Sequence, residues 1–168
     1  MPSFSIVWSG SSLSCPGSLA LWLLQTLKIF RNPEKNGSEY IQKIIEHKPT
    51  LVVGIDFLFW FAYGGTGLAE NIPEKRMKDF EYGLELLSKI KTPMILGDLP
   101  DMQKAVGIML SAHQVPTPST LKKLNTRLRE WASNRSNVMI VNVNHLFSAA
   151  MNDEEIAVLN TTWQSGSH

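Results

Sequence analysis

The sequence predicts an α/β domain on a parallel sheet, and three observations carry that expectation. Short β-rich apolar runs alternate with stretches of helical periodicity, the pattern that puts helices against a parallel sheet. Residues 50–58, Thr-Leu-Val-Val-Gly-Ile-Asp-Phe-Leu, are apolar on both alternating faces, as a central strand covered by helices on two sides requires. A length of 168 residues with 43% hydrophobic residues suits one domain with a real core.

The elements follow in order. Phe4-Ser5-Ile6-Val7-Trp8 is a first strand, running into a Ser9-Gly10-Ser11-Ser12 turn. Leu19, Leu23, Leu27 and Phe30 recur at helical spacing over residues 18–30, with residues 28–31 as a candidate short second strand. Residues 38–47 form a helix with Ser38 as N-cap and Tyr40, Ile41, Ile44 and Ile45 on its buried side. Residues 50–58 are the central strand. Pro73 starts a helix that carries Met77, Phe80, Leu84 and Leu87 towards Ile90. Residues 93–96 are a buried strand, Ser119 caps a helix to about Asn134, and residues 138–143 are the last strand. The whole chain, 1–168, reads as a single three-layer αβα sandwich of about five parallel strands. Its crevice lies beyond the carboxyl ends of those strands.

Composition narrows the function. A formal net charge of +1, with eight charges of each sign before residue 85 and eight basic against seven acidic from there on, gives no basic half for nucleic acid. The one cysteine, Cys15, excludes an intrachain disulfide and a multi-cysteine zinc site. No run of eighteen apolar residues exists to support membrane insertion. The first basic residue is Lys28, so no charged start of a secretory signal is readable, and the compartment stays open.

Several residues then stand out at the strand ends. The Ser9 to Ser14 loop places hydroxyls between a strand and a helix, where a serine nucleophile or a simple turn and cap both fit. Gly37, in Lys35-Asn36-Gly37-Ser38, would let a backbone N–H approach a ligand, or is a turn glycine. Asp56, Asp98 and Asp101 lie at one sheet edge. They could hold Mg²⁺ for phosphoryl transfer, or serve as turn and cap residues. His145 follows the last strand, His113 sits in a loop, and His47 complements a helix C-terminus. Tyr63-Gly64-Gly65-Thr66-Gly67 lacks the spacing of a phosphate cradle. Phe57, Phe59, Trp60, Phe61 and Tyr63 are either core or an apolar acyl pocket.

Together these segments resemble the SGNH, or GDSL, hydrolases, whose fold is flavodoxin-like. Gly10-Ser11-Ser12-Leu13 matches three of the four positions of the Gly-Asp-Ser-Leu block, with Ser12 at the nucleophile. Gly37 corresponds to the glycine of the second block, and Lys48-Pro49-Thr50-Leu51-Val52-Val53 looks like the run before the third. Residues 92–100, 124–132 and 137–138 are similar in character to later segments of the family. The resemblance implies hydrolysis of a small-molecule ester without a cofactor. Ser12 would attack, the Ser12 and Gly37 N–H groups would hold the oxyanion, and His168 would be the base, supported by Asp56 or His145.

The departures are equally specific. Phe57-Leu58-Phe59-Trp60 stands where the third block ends Gly-x-Asn-Asp, and Asp56 does not match its asparagine. Ser165-Gly166-Ser167-His168 keeps the histidine of the final Asp-x-x-His block but not its aspartate, and is equally the beginning of a purification tag. A catalytically inactive or truncated hydrolase-like binding domain is therefore the alternative expectation.

Overall fold

A six-stranded sheet organises the chain, its strands lying side by side in the order Ser11–Ser18, Ser3–Trp8, Ala20–Leu23, Leu51–Gly54, Met94–Gly97 and Val138–Val141. The computed structural model describes residues 3–8, 11–18, 20–23, 32–64, 73–152, 156–158 and 161–163, with side chains over 32–64 and 73–152. The strands are β1 (Ser3–Trp8), β2 (Ser11–Ser18), β3 (Ala20–Leu23), β4 (Leu51–Gly54), β5 (Met94–Gly97) and β6 (Val138–Val141). β1 to β3, β3 to β4, β4 to β5 and β5 to β6 are parallel pairs, and β2 runs antiparallel to β1. A separate antiparallel pair joins β7 (Ile156–Val158) and β8 (Thr161–Trp163). The helices are α1 (Pro33–His47), α2 (Phe57–Tyr63), α3 (Pro73–Ser88), α4 (Pro118–Ser133) and α5 (Val143–Met151). The mixed α/β class expected from the sequence is borne out.

The boundaries differ from expectation for identifiable reasons. The expected loop at residues 9–14 is instead largely β2, which pairs along the edge of β1 from Trp8 opposite Ser11 to Ser3 opposite Ser18. Between Ser5 opposite Ser14 and Ser3 opposite Ser18 the register shifts, so Cys15, Pro16 and Gly17 fall in an irregular stretch of an edge strand. A proline that cannot donate to the ladder is tolerated there. The helix expected over residues 18–30 is overturned at Ser18, which ends β2, and at residues 20–23, which form β3; residue 19 and residues 24–31, with the candidate strand at 28–31, lie outside the described residues.

α1 begins five residues before Ser38. Asn32 is its cap, accepting the Lys35 N–H at 3.1 Å, and Pro33 takes the first helical position, where a missing N–H is harmless. Lys48 ends the helix in the left-handed conformation, its N–H donating to the Ile44 carbonyl. The same arrangement recurs at α4, where Thr117 and Pro118, rather than Ser119, make the start. The run expected as one long strand at residues 50–58 divides at Asp56. Phe57, Leu58, Phe61 and Ala62 are all buried, and that i, i+1, i+4, i+5 spacing is a helical stripe.

Strand register separates the two sheet faces. Val52 lies opposite Met94, and Met94 opposite Val138; Leu96 lies on the same face. Val52, Met94 and Leu96 are buried in one core cluster with Ile41 and Ile44 of α1, Phe61 of α2, Phe80 and Leu84 of α3, and Leu124 and Leu128 of α4. The other face carries Val53, Ile95 and Met139 in register. Val53 and Ile95 are half-buried, and Met139 is 62% exposed.

Candidate functional site

At the carboxyl ends of β4, β5 and β6 the chain passes through Ile55-Asp56, Asp98-Leu99-Pro100 and Asn142. These segments touch. A Cβ on Gly97 would stand 2.3 Å from the Ile55 carbonyl oxygen and 2.8 Å from the Val143 side chain, so only glycine fits where β5 leaves the sheet.

Asp98 is the centre of this edge. It is 2% exposed, and each carboxylate oxygen has a donor: the Arg129 guanidinium at 3.0 Å on Oδ2 and the Asn144 backbone N–H at 2.8 Å on Oδ1. The Asn144 contact satisfies one of the orphan N–H groups opening α5 and sets a negative charge at its positive end. Asn142 caps the same helix by accepting the His145 N–H, and the Asn144 side chain accepts the Asp101 N–H at 2.9 Å. A buried charge is tolerable only when paired and hydrogen-bonded in this way.

The segment from Leu99 to Thr117 is clamped from several sides. Buried Asn125 donates to the Leu99 carbonyl and accepts the Leu99 N–H, at 2.9 and 2.8 Å. Tyr63 donates its hydroxyl to the Pro100 carbonyl at 2.5 Å, and burial holds that phenol far above its ordinary pKa. Arg76, buried and with its pKa lowered by desolvation, donates to the carbonyls of Ala62 and His113. Ser111 and Gln114 form a capping box around the short 3₁₀ turn Ala112–Gln114.

The sequence-selected residues are distributed as follows. Ser12 lies within β2, opposite Val7 of β1, rather than in a loop that opens a helix. Gly37 is the fifth residue of α1 rather than a turn residue, so helix geometry directs its N–H to the carbonyl four residues back. A Cβ there would lie 2.8 Å from Phe61 Cζ and 3.3 Å from Leu86 Cδ1; the glycine permits close packing of α1 on α2 and α3. Asp56 does sit at the carboxyl edge, as the residue before α2. Its carboxylate accepts the Trp60 indole N–H at 3.3 Å, and burial raises its pKa despite that bond. His145 is exposed in the first turn of α5. His168 lies outside the described residues. The structure thus gathers Asp98, Asp101 and His145 around the start of α5, with Asp56 on the neighbouring strand end, and gives Gly37 a packing role.

Asp101 accepts the Gln103 N–H, and Asp98 is occupied as above. Among the described residues no group of three histidine, cysteine, aspartate or glutamate side chains could hold a metal ion. Phe57, Phe61 and Tyr63 are fully buried, and Phe59 stacks on Tyr63 at 4.3 Å, so this aromatic run is core more than pocket wall. A cavity of about 240 Å³ opens at the same edge, where Asp101 and Lys104 face Phe147 and Met151. A larger groove of about 530 Å³ lies between α3 and α4, bordered by the Glu81–Arg127 pair and by Arg135 stacked 4.2 Å over Trp131. No helix among the described residues is long and apolar enough to cross a membrane.

Sequence reasoning placed Asp98 at this edge but missed its partners, and it missed Asn125 entirely. Asn144 and Arg129 are 46 and 31 residues from Asp98, and no local signal links them.

No family model matches the chain, and comparison with curated proteins and with solved structures returns no similar protein.

Proposed function

We propose that this chain is a hydrolase-like α/β domain whose carboxyl-edge crevice binds a small ligand without Ser12-dependent ester hydrolysis. The observation that carries this reading is Gly37. An oxyanion donor must point a free N–H at the reacting oxygen, whereas the Gly37 N–H belongs to the α1 ladder and its missing side chain makes room for Phe61. The cavity bordered by Lys104, Asp101, Phe147 and Met151 offers a cation, a carboxylate and apolar area to a small amphiphilic molecule.

Ester hydrolysis is the second reading, favoured by one observation: Ser12 follows the carboxyl end of β1 by four residues within Gly10-Ser11-Ser12-Leu13. Covalent labelling with a fluorophosphonate, read as a mass increase on the intact protein, separates the two. The binding-domain reading predicts no label. Stoichiometric labelling that disappears in Ser12→Ala would establish the activated serine instead.

A further inference from the structure

The two edges of the six-stranded sheet are built differently. β2 forms one edge, and its register on β1 shifts across Cys15-Pro16-Gly17, so a further strand would meet no regular ladder there. β6 forms the other edge and keeps an unbroken register on β5, from Val138 opposite Met94 to Val141 opposite Gly97. Residues 137–143, Asn-Val-Met-Ile-Val-Asn-Val, contain no charge, no proline and no glycine, so the guards that usually blunt an open edge are missing. Met139 stands 62% exposed on this strand.

Backbone geometry says what this edge would take. The Met94 N–H donates to the Asn137 carbonyl at 2.7 Å and the Asp98 N–H to the Val141 carbonyl at 3.0 Å, so the odd-numbered residues of β6 turn their backbone groups towards β5. By alternation, Val138, Ile140 and Asn142 turn theirs outward. The Val138 N–H is taken by the Arg135 carbonyl, whereas among the described residues nothing meets the Ile140 N–H and C=O. Both flanks fold away from the open side. The Asn137 side chain donates to the Ile90 and Thr92 carbonyls, and the chain after β6 returns through Asn144 to Asp98 and Asp101. A donor and an acceptor side by side in the plane of the sheet fit an added strand rather than a small ligand.

We infer that β6 is a dimerisation edge, taking β6 of a second copy of this chain antiparallel to itself about a two-fold axis at Ile140. The segment answers its own register. The two Ile140 residues exchange N–H and C=O groups, each Asn142 N–H reaches the Val138 carbonyl of the other copy, and Met139 lies beside Val141 across the axis. Any foreign strand could use the backbone groups; an uncharged, largely β-branched run that is complementary to itself favours a second copy. No like charges meet, because the segment has none, and a net charge of +1 adds little repulsion between copies. A pairing this short is weak and reversible. It is independent of the ligand-binding reading.

Sedimentation equilibrium of the full chain from micromolar to near-millimolar concentration tests it, together with the hydrogen-exchange rate of the Ile140 amide over the same series. The expected result is a mass that rises from one chain towards two and stops there, because a two-fold pairing closes, while the Ile140 amide exchanges more slowly as the dimer fills. Met139→Lys restores a guard to the edge and should raise the dissociation constant roughly tenfold or more. Met109→Lys, at an apolar residue 76% exposed elsewhere on the surface, should leave it unchanged. Both side chains are already largely in solvent, so the melting temperatures of the variants should match the wild type and certify their folds. A chain that stays monomeric throughout, a mass that climbs past the dimer, or a dimer that forms without slowing the Ile140 amide would overturn the inference. So would association that Met139→Lys leaves intact or that Met109→Lys weakens equally.

Discussion

Two regions invite comparison: the Ser12 and Gly37 segments, which carry the family-like motif, and the knot around Asp98, which carries none. In the first, residues selected for chemistry occupy regular structure, Ser12 in a β ladder and Gly37 inside a helix against Phe61. In the second, Arg129 and Asn144 meet Asp98 from two helices within 3.0 Å, and Asn125 holds the backbone of the adjacent Leu99. A short motif thus fixes residue types but not backbone state. Only topology decides whether an N–H is free to act.

Substitutions in the Asp98 knot should cost the most stability. Asp98→Ala leaves the Asn144 N–H without its acceptor and Arg129 without its partner, at a cost of about 3 kcal/mol in urea unfolding. Arg129→Ala should cost less, about 2 kcal/mol, because the carboxylate it leaves is 1% exposed but keeps the Asn144 donor, and water can enter where a 58% exposed side chain stood. Equal losses in the two variants would mean the ion pair, not the cap of α5, holds the knot.

Gly37→Ala probes the first half. Crowding Phe61 costs about 1–3 kcal/mol, and the better helix propensity of alanine returns up to about 1 kcal/mol, so a net loss near 1–2 kcal/mol is expected. A smaller penalty in a Phe61→Leu background would identify the ring as the obstacle. Unchanged stability in Gly37→Ala would break the packing account.

Tyr63→Phe should cost about 1 kcal/mol through the lost bond to the Pro100 carbonyl. Because burial raises the phenol's pKa above its ordinary 10.0, the folded chain favours the neutral form; stability is full below that pH and declines as pH rises through the folded value. The phenylalanine variant should show a shallower alkaline decline in melting temperature. The smallest effect concerns Asp56, whose pKa burial raises above its ordinary 3.8. Its stabilising contribution is complete below that pH and lost as pH climbs through the folded value. Asp56→Asn keeps an acceptor for Trp60 and should melt higher than wild type near neutral pH, with the gap closing on acidification; a lower neutral melting point would contradict the burial argument.

The sequence made the α/β class and the strands at Val52 and Met94 legible, because apolar runs flanked by helical periodicity have few other solutions. It also contained starts that went unread: Asn32-Pro33 and Thr117-Pro118 each place a cap before a proline at the first helical position. Asn36-Gly37 looked like a turn because its local preference says so, and the decisive contact with Phe61 lies 24 residues away. The aromatic run after Asp56 was ambiguous between strand and helix, since a short, wholly apolar segment shows no period. The Asp98 knot was visible only as an isolated carboxylate, because Arg129 meets it from α4 and Asn144 from the chain after β6.

Hydrolysis of p-nitrophenyl esters of short and medium acyl chains, run on the folded chain beside Ser12→Ala, decides between ligand binding and serine catalysis. The binding-domain account predicts equal background rates for both proteins. Turnover by the wild type that vanishes in Ser12→Ala would contradict it and restore the serine to the centre of the crevice.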